Sequence, residues 1–309
     1  ATGEQLAVDG KLDGTADDLG AVMEALGGQS TPALQGKPFE LTGTIASTEQ
    51  SIRMDDLSVR LGENAATGSF EAVQGDPMQL RAKLAMGRLD ADALIEAFGQ
   101  TPVEDAGEAE TGGDGSPGFA LPTGIDAELD LSIDAVNLMG SVVNQVRLVA
   151  TLVPEGMVGV SQFKAQLPGG SSVSLAGDVA SAEGKPSFAG VLEASSDNLR
   201  GLLAWLGVEP EGVPNDRLRN LALAARVTAT PDQVQLGEID MRLDNSKIAG
   251  GIVVAMPNAS RPQPAFGVGL SLDQINLDAY MPPETAADGG EGGNGNGGGG
   301  NPLAGLAPL

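Results

Sequence analysis

Several residue types are missing from this sequence. Its 309 residues include no cysteine and no histidine. Without cysteine there is no disulfide, no thiolate metal site and no thiol nucleophile. Without histidine, imidazole general bases, imidazole-bound zinc and the serine–histidine–aspartate arrangement are excluded as well. Carboxylates, serine, lysine and tyrosine could still perform chemistry, so these absences narrow the classes of enzyme without removing them all.

Aromatic residues and long apolar runs are scarce. The chain has one Trp, one Tyr and seven Phe, although 41% of it is hydrophobic. A large core usually holds more rings, so the scarcity indicates either a purely aliphatic core or apolar surface that is not filled from inside. The apolar runs are far shorter than the ~20 residues that span a bilayer. Because the chain begins at Ala1 without a signal peptide, we expect a fragment whose targeting or anchoring segment lies upstream.

Positive charge is scarce relative to negative charge. Lys and Arg number 17 against 42 Asp and Glu, which gives a net charge of −25. An acidic surface repels phosphate backbones and anionic lipid headgroups, so we predict no nucleic-acid partner. Any contact with lipid would have to be apolar and sequestered from water. The simplest role of the charge is solubility.

Two segments divide the chain. Residues 100–121 are predicted to be an acidic, Gly-rich linker and residues 284–309 a disordered Gly/Asn-rich tail, because neither can bury enough apolar surface to offset the entropy of ordering. They delimit a first β-repeat region, residues 1–99, and a second, residues 122–283.

Within these regions apolar and polar residues alternate. The alternation is cleanest over residues 127–134 and recurs at 173–179, 221–227 and 266–272. A period of two is typical of a strand with one dry and one wet face, and turn residues every 8–12 positions are typical of antiparallel meanders. We therefore predict a mainly β fold, in which repeated antiparallel meanders form an elongated curved sheet or groove.

The chain also repeats itself. Three stretches that begin at Leu41, Leu148 and Leu221 align without gaps over about thirty residues, and each is predicted to form three strands. Short amphipathic helices close the units at about residues 17–26, 90–98 and 197–206, because apolar residues there recur at i, i+3, i+4 and i+7. Each helix is followed by glycine, which suits a left-handed stop. The predicted N-caps are Asp18, Asp90 and Asn198.

Helices of about ten residues are only ~15 Å long and cannot cover a sheet of a dozen strands. The dry face must therefore be covered by another sheet, by its own curling, or by something apolar that is not protein. A trough with an aliphatic lining would suit acyl chains, which need no hydrogen bonds. The alternative is an ordinary sandwich or solenoid with a closed core.

Particular motifs resemble the C-terminal region of AsmA-like proteins. They are the alternating run at residues 127–132, the Leu-Pro-Gly-Gly turn at residues 167–170 that leads into a strand ending at Gly177, and the segment at residues 276–282. The resemblance implies a Gram-negative envelope protein that is tethered to the inner membrane by an N-terminal segment absent from this chain. It also implies a periplasmic β-groove that moves phospholipid toward the outer membrane and supports outer-membrane assembly. The acidic insert at residues 100–121 departs from the family.

These observations predict a non-catalytic protein that binds acyl chains of phospholipid, with envelope membrane proteins as further partners and no cofactor or metal. The alternative is a closed-core β-repeat scaffold or interaction module of the cell envelope. The predicted lipid-facing residues are the apolar positions of the central repeat: Leu129, Leu131, Ile133, Val158, Val160, Phe163, Val173 and Leu175.

Two other site types are weaker candidates. Asp126, Glu128, Asp130 and Asp134 share one strand face and could be imagined in a carboxylate enzyme that acts on glycans. However, period two puts all four on the wet side, where rows of carboxylates are normally solvated. Residues 9–14 are rich in Asp and Gly, but Lys11 stands where a calcium ligand belongs, so turn chemistry is the simpler interpretation.

Overall fold

The computed structural model describes residues 7–25, 36–62, 64–93, 95, 119–182, 184–258 and 260–273. They form one open sheet of 14 strands whose spatial order follows the chain order, and the mainly β prediction is confirmed. The strands are β1 (Val8–Ala16), β2 (Phe39–Ser47), β3 (Ser51–Leu61), β4 (Asn64–Val73), β5 (Met78–Asp90), β6 (Ile125–Leu138), β7 (Ser141–Val153), β8 (Met157–Leu167), β9 (Ser171–Ala182), β10 (Lys185–Ser196), β11 (Leu221–Thr230), β12 (Gln233–Leu243), β13 (Ser246–Ala255) and β14 (Ala265–Leu272).

One pair of strands joins the two predicted β-repeat regions. Every neighbouring pair is antiparallel except β5 and β6, which run parallel from Met78↔Ile125 to Asp90↔Asn137. A parallel pair needs a connection that returns to the starting end of the sheet. Of the predicted linker, residues 100–118 lie outside the described residues, whereas Phe119 already donates its backbone N–H to Gly184. The two regions are therefore parts of one continuous sheet.

All described helical residues lie at one end of the strands, which we call the helical end. Helix α1 (Leu19–Ala25) follows β1, residues 91–93 and 95 are helical after β5, and α2 (Leu199–Trp205) follows β10. The three predicted N-caps are confirmed, because the carboxylate or amide oxygens of Asp18, Asp90 and Asn198 accept backbone N–H groups at 3.2, 3.0 and 3.3 Å. The rest of the 90–98 helix, the end of the first helix and the 284–309 tail lie outside the described residues.

The repeat is most regular in its middle strand. Strands β3, β8 and β12 are each 11 residues long, and each shifts register at the same place, between Met54 and Leu57, Val160 and Phe163, and Leu236 and Ile239. The flanking strands differ in length, since β2, β7 and β11 have 9, 13 and 10 residues. The predicted gap-free alignment over about thirty residues is therefore wrong outside the middle strands.

These register shifts keep the apolar residues on one side. In each middle strand two apolar residues stand three positions apart, and a strict period of two would turn one of them to the opposite face. The bulge absorbs the extra residue, so both stay together. Opposite two of the bulges, Gly68 and Gly250 have φ of 158° and 143°. A Cβ on either would stand about 2 Å from a backbone oxygen of the next strand, at 1.9 and 2.1 Å, so glycine is required at both.

The buried core is small and lies toward the helical end. Ile133, Val136, Val143 and Ala165 form its centre, and Trp205 of α2 packs against them. The indole Nε1 of Trp205 donates to the carbonyl of Leu138 at 3.3 Å. Helix α2 thus covers one end of the apolar side of the central strands.

The turn between β8 and β9 fits closely under α2. Gly169 has a φ of +76°, and a Cβ there would stand 2.9 Å from the carbonyl oxygen of Asn198 and 3.0 Å from the backbone nitrogen of Leu202. The Leu-Pro-Gly-Gly sequence of this turn therefore has a packing reason in this fold, because a larger residue would push the helix away.

The segment between α2 and β11 is held by two charged side chains. The guanidinium of Arg200 donates to the carbonyls of Val213, Pro214 and Arg217. Asp244, in the β12–β13 turn, accepts the backbone N–H groups of residues 218–220 at 2.8–3.1 Å.

At the first edge of the sheet, residues 9–14 belong to strand β1. The interpretation of this stretch as a turn is wrong: its glycines, Gly10 and Gly14, lie on one face of the strand and pair with Ile45 and Leu41 of β2.

Candidate functional site

The strand register places all eight predicted lipid-facing residues on one side of the sheet. Residues paired across neighbouring strands point to the same face. The pairs Leu129↔Ala150 and Ala150↔Val160 link β6 to β8, and Phe163↔Leu175 links β8 to β9. We call this side, with all eight residues on it, the apolar face, and the opposite side the polar face.

The apolar face extends far beyond the central repeat. One row of paired residues crosses all 14 strands, and every member is apolar or glycine. We call it the inner row: Gly10, Ile45, Met54, Phe70, Ala82, Leu129, Ala150, Val160, Gly177, Gly190, Val227, Leu236, Ile252 and Val268.

A second complete row lies two residues closer to the end that carries no described helix. Ser47 is the only polar member of either row. We call it the outer row: Val8, Ser47, Ile52, Ala72, Leu80, Ala127, Leu152, Val158, Val179, Phe188, Ala229, Val234, Val254 and Phe266.

Neither row is buried. Its members at the flanks are exposed, as at Phe266 (66%) and Val268 (63%), and those in the middle strands are half-buried. The fully buried apolar residues, such as Ile133 (5%), lie outside both rows. Since the described strands form a single sheet and the described helical residues lie at its other end, no second sheet or helix among them forms a layer over the rows.

Of the eight predicted residues, some line the open rows and some belong to the covered end. Leu129, Val158 and Val160 are row members. Ile133 is in the buried cluster, and Leu131, Phe163 and Val173 pack against it. Leu175 is half-buried between the two groups. Sequence reasoning missed the row members outside the central repeat, such as Val227 and Val268, although both lie in runs of the same alternation.

The polar face is built from paired charges. Side-chain charges alternate in sign along one row of paired residues from β3 to β6: Arg53, Glu71, Arg81 and Glu128. Arg81 lies 3.4 Å from Glu71 and 3.6 Å from Glu128. A recess of about 560 Å³ is lined by these side chains together with inner-row residues such as Phe70 and Leu129. The alternating charges of the polar face suit water rather than hydrocarbon.

The four carboxylates considered for catalysis lie on this polar side or at its margin. Asp130 binds Arg147 at 2.8 Å and Glu128 binds Arg81, while Asp126 and Asp134 are exposed. Across the described ranges, no group of three or more acidic residues is arranged to hold a metal ion.

Two arginine pairs mark bulges on the polar face. Arg53 donates to Asp55 at 2.7 Å beside the β3 bulge, and Arg226 donates to Glu238 at 2.7 Å in the β12 bulge. In each, the hydrogen bond first and the carboxylate charge second raise the pKa of the arginine above its usual value. Both arginines are cations, as arginine side chains in proteins always are, and their charges keep this side hydrated.

Comparison of the chain with protein-family models, with curated proteins and with solved structures found no match. The resemblance to AsmA-like proteins therefore stays a prediction from the motifs. Among the described helices, none is both long and apolar enough to cross a bilayer.

Proposed function

We propose that this protein binds the acyl chains of phospholipids along the inner and outer rows. The observation that carries the proposal is the pair of rows themselves, which run across all 14 strands with a single polar side chain and no described layer above them. Acyl chains need no hydrogen bonds, and each buried methylene group contributes about 0.8 kcal/mol.

The length of the rows favours a conduit over a pocket. Neighbouring strands lie about 4.8 Å apart, so fourteen of them give a strip roughly 60 Å long. This is about twice the ~30 Å thickness of a bilayer's hydrocarbon core, and one lipid could not fill it. Several chains would lie along it, or one would move along it, with the polar face turned to water.

A protein ligand would suit these rows less well. Protein interfaces concentrate their energy in aromatic and arginine anchors and carry hydrogen bonds around them. The rows contain only Phe70, Phe188 and Phe266 as rings and no charge. The motifs that resemble AsmA-like proteins extend the proposal to a periplasmic, inner-membrane-tethered role in phospholipid transport and outer-membrane assembly, without catalysis.

Native mass spectrometry with lipid extraction tests the proposal. The 309-residue chain, isolated gently from a Gram-negative host, should carry phospholipid. Val160→Asp, in the inner row, should reduce the bound lipid at least about fivefold, since a carboxylate in an acyl site costs several kcal/mol. The matched control is Val191→Asp, because Val191 is 49% exposed and its partner Arg226 places it on the polar face.

Circular dichroism must show that both variants keep the sheet. Lipid-free wild-type protein, or equal lipid loss in both variants, would contradict acyl-chain binding on the apolar face. Either result would favour a scaffold that recruits a protein partner instead.

A further inference from the structure

The two edges of the sheet differ in charge. Strand β1 carries three charged residues: Asp9, Lys11 and Asp13. Charged side chains on an edge strand are one means by which natural sheets discourage edge-to-edge pairing. Strand β14 carries no charged residue, and all eight of its residues are exposed. No described strand pairs with its outer side. Thus β14 lacks the protection that β1 has.

We propose that β14 is a self-association edge, where two copies of the chain pair their β14 strands antiparallel about a two-fold axis at Gly269. In that register, Phe266 meets Leu272 and Val268 meets Leu270 of the second copy. Gly267 meets Ser271 on the other side. The apolar residues of both strands thereby share one face, and the inner and outer rows of each copy end beside the partner's apolar face.

The self-complementary pattern of β14 favours a second copy as the occupant, and charge favours this edge over the other surfaces. Two chains of net charge −25 repel each other, and contacts through the β1 edge or the polar face would set carboxylates together. The β14 edge is an uncharged surface that is also self-complementary under two-fold symmetry, as isologous dimers require. Pairing β14 with β1 of another copy would instead set its large apolar residues against Gly10 and Gly14.

The register of the proposed β14 pair is fixed by the alternation of residues along the strand, as the register of strands within a sheet is. A slip of one residue would put the glycine and serine positions of one copy opposite the apolar positions of the other. The two-fold register alone keeps four apolar residues per strand in contact: Phe266, Val268, Leu270 and Leu272.

Single cysteines test the pairing, because the chain has none of its own. At the axis, Gly269→Cys faces its own copy directly. Opposed antiparallel residues have Cα atoms about 4.5–5.5 Å apart, within the range that a disulfide spans. A Cβ at Gly269 meets no atom within 4 Å, so the variant should fold. Mild oxidation of the full chain should convert most of it into a covalent dimer of twice 31.1 kDa.

Two controls separate this register from random collision. Gly267→Cys lies on the same strand but roughly 13 Å from its own copy in the proposed pair, too far for a disulfide. Gly10→Cys lies on the opposite edge, where a Cβ also meets no atom within 4 Å. Gly269→Cys should give roughly fivefold or more dimer than either, and Gly267→Cys combined with Ser271→Cys should recover it.

Equal cross-linking of Gly269→Cys and Gly267→Cys would overturn the proposal. So would a wild-type chain whose mass in light scattering stays monomeric at every concentration up to the solubility limit. If it dimerises, Gly269→Lys should return it to monomer, because the two ammonium groups would face each other across the axis.

Discussion

Two regions of the apolar face carry the same kinds of residue but differ in what covers them. At the helical end, Val143 is 4% exposed and packs in a cluster with Ile133 beneath α2. On the edge strand β14, Val268 is 63% exposed although it has the same side chain on the same face, because no described helix lies above it and no described strand pairs with its outer side. Burial here is decided by the neighbouring elements, and the strand pattern alone does not distinguish a core from a ligand-binding face.

The largest expected effect separates these two regions directly. Val143→Ala should lower the free energy of unfolding by about 2–3 kcal/mol, because it removes two buried methyl groups and leaves a cavity. Val268→Ala should lower it by less than about 0.5 kcal/mol. Urea denaturation followed by circular dichroism measures both. Equal losses of unfolding free energy would mean that the two side chains are equally covered, contrary to their exposed fractions.

The second-largest expected loss of stability comes from displacing helix α2 from the apolar face. Gly169→Ala should cost about 2 kcal/mol, since it combines a left-handed backbone with the close approach of α2. Its control, Gly140→Ala, has a φ of +69° but no atom within 4 Å of the added Cβ, and should cost about 1 kcal/mol. Binding of a hydrophobic dye should increase in Gly169→Ala only. If the two substitutions cost the same, the contact with α2 adds nothing.

A smaller effect tests the start of the same helix. Asn198→Ala should cost about 1 kcal/mol, because its side-chain oxygen caps the N–H of Gly201. Asn198→Asp keeps a capping oxygen and should be within a few tenths of wild type. Hydrogen exchange of the Gly201 amide reports the cap directly. Unchanged exchange in Asn198→Ala would show that the cap does not hold α2 in place.

Much of this fold could be predicted from the pattern of residues. Period-two alternation identified strands such as β6 and β14, and the i, i+3, i+4, i+7 spacing with a capping residue located α2 to within two residues. These features are local, so a short stretch of sequence determines them. The assignment of Leu129, Val158 and Val160 to one face follows from the same alternation.

The features that the sequence does not predict depend on contacts between residues far apart in the chain. No local pattern near residues 100–121 indicates that β5 and β6 pair in parallel, so the sequence alone predicts two separate regions on either side of this segment. The bulges could have been found, because spacings of three such as Met54 to Leu57 interrupt the alternation at one place in each repeat. Which apolar residues are covered could not be found, since that depends on where α2 lies in space.

Quenching of a fluorescent label is the most direct test of acyl-chain binding on the open rows. Bimane attached to Val160→Cys in the inner row, or to Val191→Cys on the polar face, gives a matched pair in a chain that has no other cysteine. The delipidated proteins are then incubated with phospholipid that carries bromine atoms on its acyl chains. We predict strong quenching at position 160 and little at 191. Equal quenching at both positions, or none at 160, would contradict the account.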